Sequence, residues 1–286
     1  MLAGDALKLL QGINMDPLKR TFNILLGDNV RDPRADIIEA IRRRDARWLL
    51  DKSVEFHGHY CHKVVYGIRA SLLALKELGM SATDDEMMGS VVTLVETAGP
   101  FCNGVQLVLG TLGGSDLVIR DCGKLAVTLL KSDGAAVRVS VRPEFLDGFV
   151  ERHPEMKGVF SGRYATISIE GEKPPLSKPR LIEVMTKDIK PEERERLMEE
   201  MMERHRAAVL KELEAPDEEM FKVERKRLEF SAFAPICECT VPVVVCEACG
   251  EAVLETHVRL RNGRKLCSDC AGEKTPTLIA GRISLS

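Results

Sequence analysis

Aromatic side chains are scarce in this chain, with one Trp, three Tyr and nine Phe among 286 residues. Proteins that hold single strands of nucleic acid stack bases on aromatic faces, so this shortage argues against that role. Neither sign of charge dominates: 41 Lys and Arg stand against 44 Asp and Glu, for a net charge of -3. A polyanion partner recruited by bulk charge is therefore not expected. No apolar run approaches the ~18 residues that a membrane span requires. The first residues also lack the basic stretch and apolar core of a secretory signal. The expectation is a cytoplasmic protein with no membrane association. Its nine cysteines, an odd number without a secretion signal, read as metal ligands and free thiols rather than as a disulfide framework. The 44% of hydrophobic residues suffice for one medium domain plus something small.

The clearest chemical pattern lies near the C-terminus. Cys246 and Cys249 form one Cys-x-x-Cys pair, and Cys267 and Cys270 form another. Each pair sits on a turn that points two sulfurs at one centre, which is what a closed tetrahedral zinc site needs. Gly250 follows the first pair, where a knuckle must turn without a Cβ clash. Asn262 and Gly263 read as the hairpin turn that delivers the second pair. Two structural disulfides are the competing reading, and nothing else in the chain points to the oxidising compartment they would need. A structural zinc holds a module together and does no chemistry. Cys237 and Cys239 form a further pair whose spacing suits a knuckle poorly, and His257 lies between the two zinc pairs.

Elsewhere the pattern alternates helix and strand. A helix is expected from Asp32 and Pro33 to Leu50, carrying Arg42, Arg43 and Arg44 on a solvated face. Val64, Ile68, Leu72, Leu75 and Leu78 recur at helical spacing over residues 61–78, with Gly79 ending the helix. Residues 91–95 are short, apolar and β-branched, as in a buried strand. Pro100 opens a second helix, closed by Gly113 and Gly114. Three strands are expected at 116–120, 125–130 and 136–142, with Asp133 and Gly134 as the hairpin turn between the last two. Residues 163–170 read as one more strand. Pro191 begins a long acidic-fronted helix with an apolar stripe of Leu197, Met201, His205, Ala208 and Val209. Asp217 is expected to cap another helix through Lys226. Strands run together after helices imply an α+β fold, a mixed or antiparallel sheet with helices on one face. A small C-terminal treble-clef or ribbon zinc finger completes it. The division expected is a helical extension over 1–50, an α+β core over 51–180, a helical linker over 181–235 and a zinc-finger module over 236–286.

A second group of reactive side chains lies at a loop-to-helix junction: His57, His59, Cys61 and His62. Gly58 permits a bend that turns His57 and His59 toward one centre. Cys61 is expected in the first helical turn, where free amides and the helix dipole favour the thiolate that binds metal. Cys102 occupies a similar place after Pro100. If both helix starts share one edge of the sheet, His57, His59, Cys61 and Cys102 make a zinc, nickel or iron site. With three protein ligands, the open position would make it a catalytic candidate. Taken singly, each histidine reads as a helix cap and Cys102 as a buried thiol. His153 and His205 have no partner that the sequence reveals.

Phe56, His57, Gly58, His59 and Cys61 opening a helix, the glycine-rich turn over 110–117, Asp121-Cys122-Gly123-Lys124 before a strand and the terminal four-cysteine module together resemble the formylmethanofuran dehydrogenase E-subunit family. The resemblance covers residues 50–145 in the core and 246–270 in the finger. It implies an α+β core akin to the second domain of glyceraldehyde-3-phosphate dehydrogenase, joined to a treble-clef or ribbon-like finger. It implies that His57, His59 and Cys61 line the core pocket. Where the family continues Cys-Pro-Gly, this chain has Cys61, His62 and Lys63. Where the family has Asp-Ala-Ile-Gln, this chain has Asn103, Gly104, Val105 and Gln106. Pro100 stands where a family cysteine precedes that stretch, and Cys102 is expected to take over its role.

Three functions follow. The resemblance implies a metal-binding accessory protein of a molybdenum or tungsten formate-type enzyme, itself a homodimer, with zinc in the finger and a second transition metal, zinc included, in the core. The second is a stand-alone enzyme using the core metal or the Cys61 thiolate on a small substrate, with His57 or His59 as base. The third is a zinc-finger regulatory or nucleic-acid-binding protein. In that last case Arg259, Arg261, Arg264 and Lys265 of the finger are offset by Glu247, Glu251, Glu255 and Asp269.

Overall fold

The computed structural model describes residues 34–80, 91–110, 117–131, 133–157, 160–161, 166–167, 180, 183, 187–228 and 242–273. Cys237, Cys239, Met185 and most of the glycine-rich turn lie outside them. The helix expected up to Leu50 is two helices, α1 (Ala35–Arg42) and α2 (Ala46–His57). The break falls at Arg43 and Arg44, where Arg44 takes a positive φ of 55°. Asp45 then caps α2, its carboxylate accepting from the Trp48 amide at 2.9 Å. A capping aspartate offers the backbone a better partner than continuing the helix would.

α3 (His62–Glu77) is the axis of the core and is buried on almost every side. It crosses α4 (Pro100–Leu109) at a point that only glycine allows. A Cβ on Gly67 would stand 2.1 Å from the Phe101 carbonyl oxygen, and one on Gly104 would stand 2.3 Å from the Val64 carbonyl oxygen. α4 stops at Gly110, whose φ is 111°, before the glycines expected to end it.

The two helices pack on a five-stranded sheet. Its strands are β1 (Val91–Val95), β2 (Leu117–Ile119), β3 (Ala126–Lys131), β4 (Ala135–Val141) and β5 (Phe221–Arg227), in the order β2-β1-β3-β4-β5. β1 and β2 are parallel, and every other pair is antiparallel. The α+β architecture with a mixed sheet therefore holds. Gly134 turns the β3–β4 hairpin at φ 86°. Arg138 of β4 ties the sheet together laterally, donating to Glu96 at 2.6 and 3.0 Å and to Glu224 at 2.9 Å. That guanidinium holds the Glu96 carboxyl below the usual carboxylate range.

β5 corrects the expectation of a helix through Lys226. Asp217 begins only a single turn, α8 (Asp217–Met220), and the chain then runs extended along the edge of β4 from Phe221↔Val141 to Arg227↔Ala135. Pairing to the free edge of β4 outweighs local preference, and the charged side chains of β5 protect the new edge. The strand expected at 163–170 is confined, among the described residues, to Thr166–Ile167, paired with Phe160–Ser161. Two short helices, α5 (Pro143–Asp147) and α6 (Phe149–Arg152), follow β4, and a long one, α7 (Pro191–Lys211), returns to α3. The methionines of α7 divide: Met198 and Met201 line a groove of about 280 Å³ against Met156, and Met202 is exposed.

The C-terminal module is two hairpins: β6 (Val243–Val245) with β7 (Ala252–Leu254), and β8 (Arg259–Arg261) with β9 (Arg264–Leu266). Asn262 and Gly263, both at positive φ, turn the second, as the sequence indicates.

Candidate metal centres

Each knuckle of the C-terminal module delivers two thiols. The first, Cys246 and Cys249, hangs between β6 and β7, and the second, Cys267 and Cys270, follows β9. All four sulfurs lie within 4.8 Å of one another. Gly250 turns the first knuckle at φ 78°. Backbone amides around Cys246, including that of Cys267 at 3.3 Å from its sulfur, bring this thiol down to about 6, so it ionises readily. Hydrogen bonding with the Cys267 and Cys249 sulfurs pushes Cys270 up to about 12. Four thiols this crowded cannot all be thiolates without a cation, and the arrangement is consistent with a small zinc-binding finger.

The core site is built around Gly58. α2 ends at His57, and Gly58 closes it in the left-handed conformation at φ 89°. The chain reverses there, so the rings of His57 and His59 come to 4.6 Å between centroids. Cys61 is not inside the first turn of α3 but at its N-cap, extended at φ -143°, and its carbonyl accepts from the Val64 and Val65 amides. One ligand atom each from His57, His59 and Cys61 lies within 4.8 Å of the others.

Cys102 does not join that group. It sits in the first turn of α4 and is 2% exposed, with burial and then the nearby Asp121 carboxylate pushing its thiol up to about 11. Burial also raises Cys61, outweighing the Val64 and Lys63 amides and the Lys63 charge that pull the other way. The helix start therefore does not by itself make either cysteine a thiolate. A bound cation would have to do so at Cys61.

What α4 supplies instead is Asn103, whose amide nitrogen lies 2.8 Å from His57 Nδ1. An imidazole that binds metal through Nε2 carries its proton on Nδ1, and a side-chain amide turned oxygen-first accepts that proton. His62 is not one of the three, and its ring packs against Phe149 at 5.0 Å and Tyr66 at 5.7 Å between centroids. Burial brings its imidazole down to about 3, so it is neutral.

The two histidines without a legible partner prove to have one each across the fold. His153 Nε2 meets Glu212 Oε1 at 2.5 Å, both side chains being buried. Glu212 also accepts from the Tyr66 hydroxyl at 2.6 Å and from Arg152. His205 lies beside His62, with ring centroids 6.1 Å apart.

Residues 56–222 match the model of a family described as FmdE, Molybdenum formylmethanofuran dehydrogenase operon. A curated protein of Archaeoglobus fulgidus, a probable S-adenosyl-L-methionine-binding protein, is 33% identical over 230 residues, which are 78% of this chain and 52% of that one. The chain thus spans about half the length of this curated relative. A solved FmdE-like protein of the tungsten formylmethanofuran dehydrogenase type, from Syntrophus aciditrophicus, is 20% identical, with a TM-score of 0.41, over 79% of this chain and 92% of that one. No helix among the described residues is long and apolar enough to cross a membrane. With more than half its length matched to the family model, this chain belongs to the FmdE family.

Proposed function

We propose that this chain is a metal-binding accessory protein of a molybdenum or tungsten formate-type enzyme, with a structural zinc in the finger and a second transition metal in the core. The observation that carries the core site is the meeting of His57, His59 and Cys61 within 4.8 Å. Two imidazoles and a thiolate are a donor set for zinc or another borderline metal. A metal held there would supply Lewis acidity at any position left to solvent. The chain's own contribution is orientation: Gly58 sets the two imidazoles together, Asn103 fixes the His57 ring, and the Cys61 N-cap holds the sulfur against the buried start of α3. The family description supports an association with a formylmethanofuran dehydrogenase system. The S-adenosyl-L-methionine in the relative's name belongs to a longer chain, about half of which is not matched by this one. The proposal extends to a cytoplasmic homodimer in which the four-cysteine module is a treble-clef or ribbon finger.

Metal analysis of the purified chain and of Cys61→Ser tests the core site. Wild type should carry two equivalents and the variant one. Equal metal content in both would remove the core site from the proposal. Co-purification of a molybdenum or tungsten enzyme with the tagged chain tests the accessory role. Its absence, with a small-molecule turnover by the isolated protein, would favour the stand-alone enzyme instead.

A further inference from the structure

α7 is far from the His-Gly-His-x-Cys motif in sequence, yet its contacts lead back to it. Glu212, just past its end, is locked to Tyr66, and Arg69 donates to the carbonyls of Glu212, Leu213 and Ala215 and to the Asp217 carboxylate. One heptad earlier, on the same face, His205 meets His62. The next residue, Arg206, lays its guanidinium over the Tyr60 ring at 4.9 Å from the centroid. Partner positions on the two segments fall together from Tyr66–Glu212 to His62–His205, so α7 approaches α3 running in the same direction. Tyr60 lies between His59 and Cys61 in sequence, so α7 passes over the loop that carries the core donors.

The charge at this rim is uneven. Arg206 is exposed, and Lys63 lies in the first turn of α3 beside Cys61. The carboxylates nearby are engaged: Asp51 with Arg47 at 3.0 Å and the Tyr60 hydroxyl at 2.9 Å, Glu55 with Lys52 at 2.7 Å. His205 does not belong to the group whose ligand atoms converge within 4.8 Å. It lies beside His62, the residue that follows the Cys61 donor in sequence, and on the turn of α7 whose Arg206 covers Tyr60.

We propose that α7 forms the open side of the core metal site, with His205 and Arg206 holding a small anion in the coordination position that His57, His59 and Cys61 leave free. This rests on the core-metal reading above. A three-donor site leaves room for such a ligand, whereas the four-thiolate finger has none. The anion's charge is met by Arg206 and Lys63, and His205 supplies a directional hydrogen bond.

The test uses the full chain loaded with Co²⁺ and titrated with azide, read by visible absorption. Azide should shift the bands of the core cobalt and leave those of the finger unchanged. His205→Gln and Arg206→Gln should each weaken azide binding by ~10-fold or more while both metal equivalents are retained. Arg206→Gln is a surface change and serves where His205→Gln disturbs folding. Azide affinity equal to wild type in both variants would overturn the proposal, as would a two-metal wild type whose bands azide does not move. Loss of the core metal in His205→Gln would also overturn it, by making His205 a ligand. A wild type that takes up only one cobalt would instead defeat the core-metal reading itself.

Discussion

Replacing Gly67 with alanine tests how closely the two helices that carry the core site must approach. The added methyl would stand 2.1 Å from the Phe101 carbonyl oxygen and 3.2 Å from Gly104 Cα. Comfortable contact needs roughly 3.5 Å, and the obstructing atoms are backbone, so no side chain can swing away. α3 and α4 would have to separate by more than roughly 1 Å, at the centre of the buried cluster. Overpacking of this kind costs about 1–3 kcal/mol and more when the backbone cannot yield. The better helix propensity of alanine returns about 1 kcal/mol. The net expectation is a loss of about 2 kcal/mol or more, read as a lower urea midpoint at unchanged slope. Gly104→Ala would meet the Val64 carbonyl oxygen at 2.3 Å and the Ile68 amide at 2.8 Å, and should cost as much. Both substitutions demand the same separation, so the double variant should lose less than the sum of the two. Because Asn103 precedes Gly104, the separation should also weaken metal binding in the core. A Gly67→Ala protein as stable as wild type, or more stable by the propensity gain, would refute this account of the crossing.

Asn103→Leu should leave the fold intact and lower core-metal affinity by about 10- to 100-fold, since it removes the group that orients His57; a competition titration with a chromogenic chelator would read it. Glu212 makes stability pH-dependent. Its desolvation favours the neutral acid, but hydrogen bonds from His153, Arg152 and Tyr66 win and lower its pKa from the ordinary 4.5. A depressed folded-state pKa contributes stability above the unfolded value and loses it as pH falls. Urea midpoints should therefore drop below about pH 4.5, and Glu212→Gln, less stable at neutral pH, should drop less. Tyr66→Phe removes a buried hydroxyl bonded to that carboxylate and should cost about 1–3 kcal/mol by the same assay. Stripping metal with a chelator should abolish amide-exchange protection in residues 242–273 while α3 and the sheet stay protected; equal loss in both would contradict a separately stapled module.

The sequence made plain those elements whose signals are local. The apolar spacing of α3, the β-branched run of β1, the Asp133–Gly134 turn and the two Cys-x-x-Cys knuckles all depend on neighbours a few residues apart. What it hid depends on distant partners. Residues 221–226 read as helix because Asp217 resembles a cap and the stretch is charged, and only the exposed edge of β4 makes them a strand. The break between α1 and α2 turns on Asp45 choosing the Trp48 amide. His153 looked solitary because its carboxylate lies 59 residues away. The meeting of His57, His59 and Cys61 within 4.8 Å was legible because one glycine sets them together. Cys102, a thiol at a helix start, is buried in the core cluster outside the group of three, and the residue after it reaches His57.

The most direct test of two separate metal centres is a crystal structure of the metal-replete chain with anomalous data collected across the relevant absorption edges. Two peaks are predicted, one bonded to Cys246, Cys249, Cys267 and Cys270 and one bonded to His57, His59 and Cys61. A single peak at the four cysteines, with the two imidazoles and the Cys61 sulfur bare in fully loaded protein, would contradict the account.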